Sequence, residues 1–134
     1  MDGTCYWCHE GLYLGKSFVE NTLIGWCHDE GYRVAATAST GIAATVLIGG
    51  RTLHSTFWIP IDVTDNTESR VKAHKEYAEP IRQVELVFID EISMLHRDVL
   101  KYLDTMYKDV CNSDELFADK VVVIGECAHH ENPL

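Results

Sequence analysis

Several things are scarce in this sequence, and each scarcity excludes something. No apolar run approaches the roughly 20 residues that a bilayer-spanning helix needs, so no membrane association is expected. The first residues, Met1-Asp2-Gly3-Thr4-Cys5, carry neither a basic cluster nor an apolar stretch. No secretory leader is therefore expected, and an intracellular setting is the default. Only 11 Lys and Arg stand against 21 Asp and Glu, a formal net charge of −10. Phosphate contacts dominate nucleic-acid affinity, so bulk charge argues against a free-standing nucleic-acid binder; any such binding must come from placed residues. The five cysteines, an odd number without a leader, do not suggest a disulfide framework. Internal repeats and low-complexity tracts are also missing.

What is present fits one domain over residues 1–134, with 46% hydrophobic residues to build a core. Cys5-Tyr6-Trp7-Cys8-His9 matches the C-x-x-C-H haem-attachment pattern, which needs an export context that the sequence does not show. A zinc half-site completed by Cys127, His129 and His130 is a second reading, although no second C-x-x-C completes a tetrahedral set. The third is that Tyr6-Trp7-Cys8 belongs to a buried first strand.

Strand-like segments alternate with helical ones. After the weak first strand come residues 33–38, 84–90 and 120–125. The last two are nearly continuous apolar runs, as in strands buried on both faces of a parallel sheet. Helices are expected over 16–30, with Phe18, Leu23, Trp26 and Cys27 near helical spacing and a stop at Gly31, and over 40–47, ended by Gly49-Gly50. Two more are expected over 68–77, before Pro80, and over 97–110, with Leu100, Leu103 and Met106 on one face. Residues 62–67 read as a loop. The alternation predicts a three-layer αβα domain around a mostly parallel sheet.

Three motifs carry chemistry. Gly15-Lys16-Ser17 lies where a phosphate-binding loop belongs, between the first strand and the first helix. Backbone N–H groups there cradle phosphates, the Lys reaches the β and γ phosphates, and the Ser hydroxyl binds magnesium. The full G-x-x-x-x-G-K-[ST] pattern is not met, because its first glycine falls on Glu10. Leu86-Val87-Phe88-Ile89-Asp90-Glu91 is an apolar strand ending in two acids. In a nucleotide hydrolase that Asp holds the magnesium shell and the Glu activates the attacking water; the plainer reading is a buried strand ending in a solvated turn. Together with Gly-Lys-Ser upstream, the hydrolase reading is favoured. The two motifs are then expected at the carboxyl ends of neighbouring strands.

The third signal is Thr37-Ala38-Ser39-Thr40-Gly41-Ile42-Ala43-Ala44 followed by Gly49-Gly50-Arg51-Thr52-Leu53-His54-Ser55-Thr56-Phe57. A strand end, a hydroxyl-rich loop and a helix start can bind phosphate. Arg51, His54 and Phe57 could add charge and stacking for single-stranded nucleic acid. The alternative is an ordinary helix cap and glycine turn, with Phe57 in the core. Physics alone leaves both open.

These blocks, with Val87-Phe88-Ile89-Asp90-Glu91-Ile92-Ser93-Met94, resemble the Pif-one type of superfamily-one DNA helicases, including the helicase parts of rolling-circle transposons. The resemblance runs from about residue 15 to 125, with motifs I, Ia and II within 10–94. It implies a RecA-like P-loop ATPase domain, magnesium-dependent ATP hydrolysis and 5′-to-3′ translocation on single-stranded DNA. It further implies roles in DNA repair, recombination and telomere maintenance, and a nuclear location. By position, Gly15, Lys16 and Ser17 would bind ATP; Ser17 and Asp90 would hold Mg2+; Lys16 and Glu91 would be catalytic. Thr40, Gly41, His54 and Ser55 would contact DNA.

The departures are specific. Glu10, Leu12, Tyr13 and Leu14 stand where the family's loop has glycine and threonine, and 125–134 replaces the family's γ-phosphate-sensing Gly-Gly-Asp-Phe-Arg-Gln block. An impaired fragment without the second RecA-like domain and its arginine finger is expected. The alternative functions are a catalytically inactive DNA- or partner-binding remnant and a different P-loop class such as a small nucleotide kinase; the motif Ia and His54-Ser55 blocks speak against the kinase.

Overall fold

The computed structural model describes residues 5–10 and 16–127, with side chains over 17–126. Five strands, β1 (Cys5–Glu10), β2 (Val34–Ala38), β3 (Arg51–Thr52), β4 (Leu86–Asp90) and β5 (Val121–Cys127), form one sheet in the order β1-β5-β4-β2-β3. All four pairings are parallel. Every strand therefore ends on the same edge, the place where open α/β sheets gather ligands. The expected neighbour relation is corrected here: β5 lies between β1 and β4.

Among the described residues five α-helices cover the sheet: α1 (Lys16–Asp29), α2 (Gly41–Thr45), α3 (Leu53–Phe57), α4 (Ala78–Gln83) and α5 (Arg97–Cys111). Strand alternation divides the core into two layers. On one face Ala36, Ala38, Phe88 and Val123 pack with Ile24 of α1 and with Ala43, Ala44 and Leu47. On the other face Ala35, Val87, Ile89, Val122 and Ile124 pack with α3, α4 and α5. The three-layer αβα architecture is the one expected.

α5 shows the cleanest helical stripe. Val99, Tyr102, Leu103, Met106, Tyr107 and Val110 are all buried, a spacing of three and four residues that aligns them along one side. α1 behaves differently. Phe18 and Trp26, expected on its apolar face, are 74% and 55% exposed. Its buried residues are Glu20, Ile24 and Cys27, with Leu23 partly covered. Small alanines on β2 bring α1 close, so a narrow stripe suffices and the large rings turn outward.

The helix expected over 68–77 does not form; this stretch is irregular, and α4 begins only at Ala78 and includes Pro80. Proline is tolerated there because the first N–H groups of a helix have no intrahelical acceptor. The helix expected over 40–47 is shorter, closing at Thr45. Gly50 then passes so close to α2 that a Cβ would lie 2.1 Å from the Ala44 carbonyl oxygen. That close approach leads directly into β3, a two-residue strand that the sequence pattern did not suggest.

Candidate nucleotide and nucleic-acid site

Asp90 ends β4 on the carboxyl edge, and its side chain is 4% exposed. Strand alternation puts it on the same face as Phe88, the face covered by α1 and α2. Its Oδ1 accepts a hydrogen bond from the Glu91 N–H at 2.8 Å. Glu91 itself has φ 56° and ψ 51°, the left-handed region that bulky residues rarely adopt. That conformation turns the chain sharply off the strand and leaves the Glu91 side chain partly exposed beside the buried Asp90.

α1 leaves the same edge, because β1 is parallel to the other strands and α1 follows its carboxyl end. Lys16 opens α1 and Ser17, in its first turn, is exposed. Gly15 and residues 11–14, including Leu12, Tyr13 and Leu14, lie outside the described residues, as does the Lys16 side chain. Ser17 and Asp90 thus share one edge and one face of the sheet, although β5 separates their strands.

β2 reaches this edge between β4 and β3, with Ala38 in register with both Asp90 and Thr52. The Ser39 N–H donates to the Asp90 carbonyl at 3.2 Å. Ser39 Oγ is buried and, among the described residues, has no hydrogen-bond partner. Thr40 caps α2, its Oγ1 accepting from the Ala43 N–H at 3.2 Å. Gly41 follows, exposed, with open space where a Cβ would stand. On the next strand Thr52 caps α3 in the same way, accepting from the Ser55 N–H. The Ser55 hydroxyl donates back to the Thr52 carbonyl at 3.1 Å, and His54 is half-buried. Two short helices therefore start at this edge, on opposite faces of the sheet, each opened by a threonine cap.

The structure brings Ser17, Asp90, Glu91, Thr40, Gly41, His54 and Ser55 to one edge. It removes Phe57 from the set: that ring is fully buried, edge-on against Tyr107 at 5.7 Å. The core alternative holds for it. Sequence reasoning gave no role to Ser39, although it sits inside the quoted block; an apolar-flanked serine at a strand end carries no distinguishing signal until its burial is seen. The T-x-x-S spacing at Thr52 was a legible capping signal.

β1 forms where a first strand was expected, consistent with Tyr6-Trp7-Cys8 as strand residues. Cys127 closes β5, while His129 and His130 lie outside the described residues. Among the described residues no group of three His, Cys, Asp or Glu is placed to hold a metal. The altered 125–134 block begins as strand through Cys127; the rest lies outside the described residues.

Comparisons with known proteins identify the family. The PIF1-like helicase family profile matches residues 8–129. The ATP-dependent DNA helicase Pif1 of Psychrobacter sp. is 34% identical over 117 residues, 84% of this chain but 17% of that protein. The ATP-dependent DNA helicase PIF4 of Trypanosoma brucei brucei is 32% identical over 108 residues, 78% of this chain and 13% of that one. Among solved structures, the Pif1 helicase from Bacteroides in complex with ADP-AlF3 and single-stranded DNA superposes with a TM-score of 0.76 at 31% identity, covering 94% of this chain and 28% of that one. The Pif1 helicase from Candida albicans also gives 0.76, at 30% identity over 93% of this chain and 28% of that one. The matched region spans less than a fifth of these curated relatives, and over that region the sheet order is RecA-like. The chain belongs to the PIF1-like helicase family.

Proposed function

We propose that this chain is the nucleotide-binding part of an ATP-dependent DNA helicase. The observation that carries the proposal is the convergence of the α1 start, the buried Asp90 and the two threonine-capped helices on one edge of a parallel sheet. Gly15, Lys16 and Ser17 bind the ATP phosphates, using N–H groups at the start of a helix of 14 residues. Lys16 offsets the negative charge of the phosphates. Thr40, Gly41, His54 and Ser55 contact the phosphates of single-stranded DNA, and exposed Gly41 lets a strand approach the backbone.

The residues fit a magnesium ion. Mg2+ keeps several waters and takes only one or two carboxylates besides phosphate oxygens, so one buried carboxylate and one hydroxyl suffice and no cluster of acids is needed. Asp90 and Ser17 would hold it. When bound, magnesium neutralises charge on the phosphoryl oxygens. Asp90 is positioned for this by the Glu91 N–H, which anchors one of its two oxygens. Glu91 orients the attacking water and takes its proton. Translocation in the 5′-to-3′ direction, roles in repair, recombination and telomere maintenance, and a nuclear location extend this reading by kinship.

The test is ATP turnover by the purified chain with magnesium, with and without single-stranded DNA. Slow magnesium-dependent turnover that vanishes in Lys16→Ala and Asp90→Asn is expected. Turnover unchanged by both substitutions would overturn the assignment. Nucleotide binding that persists in Lys16→Ala without magnesium would do the same.

A further inference from the structure

Phe57 is buried, but the next residue is not. Trp58 caps the C-terminal end of α3 with φ 56° and ψ 37°, and the residue is 46% exposed. It stacks on Tyr77 with ring centroids 4.4 Å apart and planes 32° apart. The Trp58 N–H bonds to the His54 carbonyl, so the ring sits one helical turn from the His54-Ser55 block at the carboxyl edge. Three further bonds fix the pair. The Tyr102 hydroxyl accepts from the Arg70 N–H at 2.8 Å and donates to the Trp58 carbonyl at 3.4 Å. The Tyr77 hydroxyl donates to the Arg70 carbonyl at 3.4 Å.

Arg70 begins the most basic stretch of an otherwise acidic chain. Arg70, Lys72, His74 and Lys75 are exposed, and buried Val71 between them anchors the strip. Glu68 lies 3.9 Å from Lys72, a long and exposed ion pair that leaves the lysine accessible. Exposed Glu76 flanks the strip on its other side. An exposed, rigidly mounted aromatic pair beside clustered cations is the combination that holds single-stranded nucleic acid: rings take a base, cations take the phosphates.

We propose that Trp58 and Tyr77, flanked by the strip 70–75, form a stacking site for a base of single-stranded DNA. The site continues the strand's path beyond His54 and Ser55, and so rests on the DNA-directed reading above. It gives a chain with net charge −10 a local means of holding DNA through base stacking.

The test uses the purified 134-residue chain and labelled oligothymidylate of about 12 nucleotides, within the usual range of single-strand site sizes, at low salt. An abasic strand of the same length separates stacking from phosphate contact. The chain should prefer the base-bearing strand by at least ~5-fold. Trp58→Gly and Tyr77→Ala should each weaken its binding by about 5- to 150-fold and abolish that preference, while Tyr77→Phe retains both. Trp58→Gly is the safeguard against misfolding, because glycine accepts this left-handed backbone freely and so offsets part of the lost ring packing; a cooperative thermal transition shows that the variant is folded. Photo-cross-linking with 5-iodouracil in the oligonucleotide should map to Trp58 or Tyr77. Binding and preference unchanged by both substitutions would overturn the inference alone. Failure to bind either strand would overturn it together with the DNA half of the proposed function.

Discussion

Glu91 offers a sharp test, because the backbone it occupies suits glycine while its proposed chemistry needs a carboxylate. At φ 56° and ψ 51° the residue is left-handed, which costs an L-residue roughly 1–2 kcal/mol. Replacing it by glycine removes that strain. Glycine also loses more conformational freedom on folding, a penalty of about 0.5–1 kcal/mol. The backbone bonds at this turn, from the Glu91 N–H to Asp90 Oδ1 and from the Met94 N–H to the Glu91 carbonyl, do not depend on the side chain. The net expectation for Glu91→Gly is a gain of about 0–1.5 kcal/mol, or up to roughly 5 °C in Tm for a chain of this size. Glu91→Ala keeps a Cβ and the strain, so it should stay within about 0.5 kcal/mol of the parent. Urea titration of all three proteins measures the differences, and ATP turnover measured alongside should be lost in both variants. A loss above ~1 kcal/mol in the Gly variant would refute the strain argument. Turnover that survives Glu91→Gly would refute the general-base assignment.

Three further outcomes are expected. Gly50→Ala should destabilise the fold by about 1–3 kcal/mol, because the new Cβ meets the Ala44 carbonyl oxygen, a backbone atom, at 2.1 Å; a urea midpoint within error of the parent would contradict this. Burial raises the Cys27 thiol above its ordinary value of 9.0. A raised value means that the stability contribution is complete below pH 9 and is lost as pH rises through the folded value. Alkylation of Cys27 at pH 8, mapped by mass spectrometry, should therefore be slower than that of half-buried Cys111 and should accelerate only on unfolding. Finally, the purified chain should not separate the strands of a fluorescent forked duplex with a 5′ single-stranded tail. The resemblance places the second RecA-like domain's arginine on the far side of the nucleotide, and such an arginine can be worth ~10³–10⁵ in rate. ATP-dependent strand release that disappears in Lys16→Ala would refute this, and would require a second copy of the chain to act in trans.

Much of the fold was legible because it is written in local pattern. The apolar runs of β4 and β5, the stripe of α5 and the hydroxyl-rich turn at Thr40 each express a short-range rule: burial on two faces, a period near 3.6, a side-chain oxygen capping N–H groups. The end of β4 at Asp90 was readable for the same reason, since a strand's last residue is set by where its apolar run stops. Sequence alone also established the alternation that makes the sheet parallel. What it did not contain was lateral order. Nothing local to β5 states that it lies between β1 and β4, because the order of parallel strands depends on how long crossovers pack. Which face of α1 is buried was likewise a tertiary decision: the alanines of β2 admit Ile24 and Cys27, and the large rings of Phe18 and Trp26 find no room on that side. The same holds for the neighbouring rings Phe57 and Trp58. Composition makes them equivalent, yet the first packs edge-on against Tyr107 of α5 in the core, while the second, at the left-handed end of α3, is half exposed and stacks on Tyr77.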